Sequence, residues 1–246
     1  MKTQAIGGAM VQPQWSRIKS PLVAPLTFAA LAIGAFAVAA ALLSAPFYRH
    51  FIDEDGAVET ASWLSWLGAV AALGFWLSRN RGSRSTAMIV VLMVFCFLCG
   101  GEEASWGQRI LGFKTPAALH VVNKQDETNL HNIGSISAFS NGFFLLATLF
   151  FLLPRWAKMR GRYPILNLID PDATRIYLLG LATWVIIGLR FGTLGFSPLS
   201  LWGYYSQMDD EIYEFFAAFS FFAFALLLPS TAHQGEPLAA ATGDSP

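Results

Sequence analysis

From Leu22 to Phe47 the chain runs for 26 residues without a charged side chain. A helix rises about 1.5 Å per residue, and a bilayer's hydrocarbon core is about 30 Å thick, so about 20 apolar residues cross it. Lys2, Arg17 and Lys19 precede the run, as they would precede a secretory signal. The apolar core of such a signal is only about 7–15 residues, so the stretch reads as an uncleaved membrane helix. Five further segments meet the same criterion, at 59–78, 86–107, 136–154, 174–196 and 210–229. The expected fold is therefore all-α, a polytopic membrane bundle of six transmembrane helices. Composition agrees, with 13% charged residues against about 25% in soluble domains.

Charge distribution sets the orientation. With the N-terminus in the cytoplasm, the segments on that side hold eleven of the sixteen basic residues and four of the sixteen acids. The opposite side holds the other five basic and twelve acidic residues, a net of +7 against −7. Excess Lys and Arg mark the cytoplasmic face, so both termini are expected there. Tyr48, Trp106, Trp202, Tyr204 and Tyr205 fall at the outer boundaries and Trp15, Trp76, Trp156 and Tyr163 at the inner ones, where aromatic belts form. Residues 1–21 read as a cytoplasmic segment, 22–229 as the membrane domain and 230–246 as a disordered tail. Ala30 and Gly34 are spaced for close helix packing. Cys96 and Cys99 lie in an apolar run without polar flanks and read as small buried hydrophobes.

The connection 113–135 is longer than most loops in compact folds. Thr115-Pro116 signals the start of a short helix through about Val122. Its apolar residues Ala118, Leu119 and Val122 suit the outer interface. The polar stretch NKQDETNLHN follows.

Counting helix rise places polar residues of different spans at one depth. Glu59, Glu102 and Glu103 come to the outer hydrocarbon edge, and Asn141, Arg190 and Glu214 somewhat deeper. Ionisable groups there are costly and mark functional sites. Arg190 and Glu214 share a level and are expected to pair. Glu59, Asp209, Asp210 and Glu211 have an alternative reading, since first-turn acids suit the helix dipole. Glu102 and Glu103 sit at a helix C-terminal end, where the dipole disfavours acids, and they point about 100° apart. Glu102 and Arg109 align seven residues apart. Glu127 and His131, like Asp210 and Glu214, are four apart and share a face if helical.

A carboxylate-histidine set of this kind, Glu102, Glu127 and His131, suits a divalent metal ion such as zinc, iron or manganese. The same groups equally make a hydrogen-bond network closing the outer mouth of the bundle. Glu127, His131, Glu102 and Glu103 are the catalytic candidates. Trp106, Gln108, Arg109, Asn123, Gln125, Asn129, Asn132, Arg190, Asp210 and Glu214 are the ligand-binding candidates. G-x-S-x-G, P-loop, dinucleotide and H-E-x-x-H patterns are absent, and nothing calls for nucleic acid.

GEEASWGQRILGFKTP followed by NKQDETNLHN resembles a signature of uncharacterised bacterial multi-pass membrane proteins. The resemblance covers about residues 101–132. It implies a bacterial inner-membrane location and carries no activity with it. Three functions remain open. One is an outward-facing site for a cation or polar headgroup. Another is a metal-assisted hydrolase or transferase acting on a lipid or lipid-linked substrate at the outer leaflet. The third is a non-catalytic scaffold.

Overall fold

A computed structural model describes residues 20–53, 56–80, 85–123, 126–130, 133, 137–153, 168–191 and 207–228. The chain is all-helical, and no strand forms among the described residues beyond an isolated Asn123–Ile133 bridge. Among the described residues, four stretches are long and apolar enough to cross a membrane: Val23–Leu43, Ala45–Arg79, Thr86–Glu103 and Pro171–Phe191. The expected terminal segments, 1–21 and 230–246, lie almost wholly outside the described residues.

Helix α1 (Val23–Leu43) turns Ala30, Gly34, Ala37 and Ala41 inward and leaves Phe28, Leu31 and Phe36 exposed. Both sides are apolar, as expected of a helix with protein on one face and hydrocarbon on the other. Its small inward residues allow close approach. A Cβ on Gly34 would lie 2.8 Å from Thr183 Oγ1. The first apolar run does not continue to Phe47 as one helix. Ser44 adopts extended backbone and its Oγ accepts the Phe47 amide at 3.4 Å. Pro46 has no amide to give α1, so a separate helix α2 (Ala45–Ile52) begins.

Helix α3 (Ala57–Arg79) buries Glu59, Ser62, Trp66, Ala69, Leu73 and Trp76, one face read off at alternating steps of three and four. Helix α4 (Thr86–Glu103) packs on it through Ile89, Leu92, Cys96 and Gly100. Of the two cysteines expected to be buried, Cys96 is and Cys99 is half-buried, and both are free thiols. Beyond α4 come a 3₁₀ turn (Ser105–Gly107), α5 (Gln108–Leu111) and α6 (Ala117–His120). The short helix expected after Pro116 therefore forms. Helices α7 (Ser137–Leu152) and α8 (Pro171–Phe191) follow. Asp170 caps α8, its Oδ1 accepting the Asp172 amide at 2.8 Å, and Pro171 occupies the first helical position.

Helix α9 (Gln207–Leu226) is the axis of the bundle, held chiefly between α3 and α8. From Glu211 to Leu228 every side chain is buried or half-buried, the pattern of a helix enclosed on all sides. Its phenylalanines need room that neighbouring glycines supply. A Cβ on Gly180 of α8 would stand 2.3 Å from Phe216 Cβ, and one on Gly68 of α3 would stand 2.8 Å from the Phe222 ring.

The connectivity defines one polar end. The end of α1, α2, the start of α3, the end of α4 and the start of α9 meet there. Phe191 at the end of α8 stacks on Tyr48 of α2 at 5.5 Å between ring centroids.

Candidate functional site

Glu102 and Glu103 close α4 and diverge as the helical rotation requires. Glu102 reaches outward. Its Oε1 accepts the Trp106 indole N–H at 2.8 Å and its Oε2 accepts the Leu130 amide at 2.6 Å. After Ala104 the chain turns through left-handed backbone at Ser105, Trp106 and Gly107, with φ of 45°, 53° and 80°. Two of these are not glycine, and such conformations persist only where their surroundings hold them. Here the Trp106 ring lies where a Cβ on Gly101 would meet it at 2.8 Å. Ser105 is fully buried and its Oγ accepts from Asn129 Nδ2 at 3.1 Å.

The turn delivers Gln108 to the far part of the loop. Its Oε1 accepts the Thr128 amide at 2.6 Å, and its Nε2 donates to Thr115 Oγ1 at 2.9 Å and to the Asp126 carbonyl at 3.5 Å. Thr115 Oγ1 also donates to that carbonyl. Asn123 Nδ2 donates to the Asn129 backbone and side-chain carbonyls at 3.0 and 2.9 Å, and its Oδ1 accepts the Glu127 amide at 3.2 Å. Asn129 Nδ2 donates to Glu127 Oε2 at 2.5 Å. Asn129 is 1% exposed, and Asn123 and Glu127 are also buried. Buried polar groups are costly unless bonded. The two motifs that look separate in sequence are one hydrogen-bonded unit. The first supplies side chains that bind the backbone of the second.

Glu103 turns the other way, into the bundle. Glu214, Glu211 and Glu59 lie near enough to act on it electrostatically. The buried Ser62 hydroxyl faces it without good hydrogen-bond geometry to any described residue. Helices α3 and α9 thus bring three further carboxyl groups within electrostatic reach of Glu103, without the closeness that a shared metal ion needs. Glu59 and Ser62 are three apart on α3, as are Glu211 and Glu214 on α9, so each pair shares a helix face. Sequence reasoning placed Glu59 at the level of Glu103, with the first-turn explanation as the alternative, and gave Glu211 that explanation alone. The repeated spacing of three was the signal it did not use.

Deeper in the bundle, Thr148 Oγ1 lies 2.7 Å from the Tyr177 hydroxyl, which lies 2.9 Å from that of Tyr213. This chain of hydroxyls joins α7, α8 and α9 and was missed.

Other expectations fare differently. Arg190 and Glu214 do not pair. Arg190 is exposed at the end of α8, its guanidinium 5.5 Å from the Phe191 ring centre, while Glu214 faces the acid group. The segment Asp126–Leu130 is irregular, not helical, so Glu127 does not sit on a helix face. Gln125, His131 and Asn132 lie outside the described residues, as do the side chains of Arg109, Asn141 and Asp210. Among the described residues, no three His, Cys, Asp or Glu side chains stand close enough to hold a metal ion.

No protein-family model, curated protein or solved structure matches the chain. Function must be argued from the site.

Proposed function

We propose that this is a multi-pass protein of the bacterial inner membrane whose outward-facing acidic site binds a cation or a polar headgroup. Six spans with both termini cytoplasmic complete the reading. α7 and α9 would serve as the remaining two spans, and the +7 to −7 charge split supports the orientation. The observation that supports the binding role is that Glu59, Glu211 and Glu214 all lie within electrostatic reach of Glu103 at one end of the bundle. Carboxyl groups brought together where water is scarce favour positive charge among them. Glu102, Gln108, Asn123, Glu127 and Asn129 are engaged in the loop's own hydrogen bonds. Their first role is accordingly to build a rigid cover beside the acids.

The test is calorimetric titration of the purified full chain in nanodiscs with Mn²⁺, Ca²⁺ and ethanolamine. Saturable binding that is lost in Glu103→Gln and Glu214→Gln, and retained in Glu102→Gln, is the expected result. Absence of saturable binding by all three probes, or binding indifferent to Glu103 and Glu214, would overturn the proposal.

The enzymatic alternative keeps Glu127 as its base. The 2.5 Å contact from Asn129 would orient that carboxylate, and His131 and a divalent metal ion would complete the set on a lipid-linked substrate. Elemental analysis tests it, with stoichiometric zinc, iron or manganese lost in Glu127→Ala as its requirement.

A further inference from the structure

The loop after α4 is ordered opposite to a water-exposed one. Ser105, Asn123, Glu127 and Asn129 are inside, with Asn129 1% and Ser105 0% exposed, while Lys114, His120 and Asp126 face outward. Its apolar side chains are outside: Ile110 is 72% exposed, Leu111 74% and Val121 82%, with Phe113 and Val122 also exposed. So many strongly exposed large apolar side chains in one short segment are uncommon on proteins bathed in water and mark an interaction surface.

We propose that this edge is seated in the bilayer, against the acyl chains of the leaflet at which α4 ends. Continuity is the argument for lipid as the occupant. The outward face of α4 carries exposed Val91, Val94, Phe97 and Leu98 on a helix long and apolar enough to span the membrane. That face runs directly into the loop. Phe97 meets Trp106 edge to face at 6.1 Å. Trp106 remains partly exposed, and its indole N–H is held by Glu102. An indole with an apolar ring toward lipid and a bonded N–H suits the membrane boundary. From Trp106 the 3₁₀ turn and α5 lead to Ile110 and Leu111.

Backbone polar groups in hydrocarbon must be satisfied internally, and the loop meets much of that demand. Gly107, Gly112, Leu119, His120, Val122 and Asn123 amides bond backbone carbonyls within it, while Thr128 and Leu130 amides bond Gln108 and Glu102. The loop is therefore a lipid-dipping element that lies beside the acid site.

Two measurements test this on the full chain. Nitroxide labels are placed at 98, 110, 111, 114, 121 and 126 in a Cys96→Ala/Cys99→Ala background reconstituted in phosphatidylcholine vesicles. At 110, 111 and 121, oxygen should exceed a water-soluble nickel chelate as relaxant by about as much as at 98. At 114 and 126 the chelate should dominate. The unsubstituted chain is also irradiated in vesicles containing a phosphatidylcholine with an acyl-chain diazirine. Adducts are expected at 110–113 and 121–122 as well as at 94–98. Adducts confined to 94–98, or nickel reaching 110, 111 and 121 as readily as 126, would overturn the proposal. So would spin–spin broadening at 110 and 121 without lipid adducts, which would assign the edge to a second copy of the chain.

Discussion

The carboxylate of Glu102 accepts the backbone amide of Leu130 at 2.6 Å, across 28 positions of chain. The same side chain accepts the Trp106 indole, so one residue fixes both the strained turn after α4 and the end of the loop. Glu103, its neighbour, serves the bundle interior instead.

Glu102→Ala should free the loop without disturbing the acid site. Losing a carboxylate that accepts two donors at exposed positions costs about 1–2 kcal/mol. Hydrogen exchange at the Leu130 amide should accelerate at least about tenfold. Glu103→Ala should leave that amide unchanged. Equal effects from the two substitutions would contradict the division of labour.

Gln108→Glu separates the two halves of one side chain's role. A carboxylate still accepts the Thr128 amide, but it can no longer donate to Thr115 Oγ1 or to the Asp126 carbonyl. A local loss of about 1–2 kcal/mol is expected. Exchange-detected mass spectrometry of peptides over 113–128 should show faster opening, with the helices unaffected.

Gly180→Ala should destabilise the whole bundle. The added carbon would stand 2.3 Å from Phe216 Cβ, so α8 and α9 must separate, at about 1–3 kcal/mol. Gly74→Ala is the control, because its nearest neighbour would be Met93 Sδ at 3.7 Å. The melting temperature in detergent should fall for the first and hold or rise for the second.

Tyr177→Phe and Tyr213→Phe should be non-additive. Their hydroxyls lie 2.9 Å apart inside the bundle, and hydrogen bonds between membrane helices contribute about 0.6 kcal/mol on average and up to about 1.7. A double-mutant cycle by reversible unfolding in micelles should return a coupling in that range. A value of zero would show the two hydroxyls to be independent.

Glu103→Gln should abolish the rise in melting temperature that a bound cation gives the unsubstituted chain, since a ligand that binds only the folded state stabilises it. An equal rise in both proteins on adding the cation would show that Glu103 takes no part in binding.

The helices were legible because their signal is local. Apolar length located α3, α4 and α8 to within a few residues, and Thr115-Pro116 located α6. The α1–α2 break was also written in Ser44-Ala45-Pro46, but apolar length alone ran past it. The Glu102–Glu103 divergence followed from 100° per residue. The Arg190–Glu214 pair failed because a shared depth says nothing about azimuth. Arg190 faces outward, while Glu214 faces α4.

What the sequence determined by itself is an apolar helical protein with its acids concentrated near one end, because hydrophobic length and charge are properties of short stretches of chain. Only the tertiary structure decided that Gln108 binds Thr128, that Glu59 comes within electrostatic reach of Glu103, and that the loop buries Asn123, Glu127 and Asn129. Those outcomes depend on which faces meet when α3, α4 and α9 pack. Facing is set by close contacts such as Gly180 on Phe216, between residues far apart in the chain.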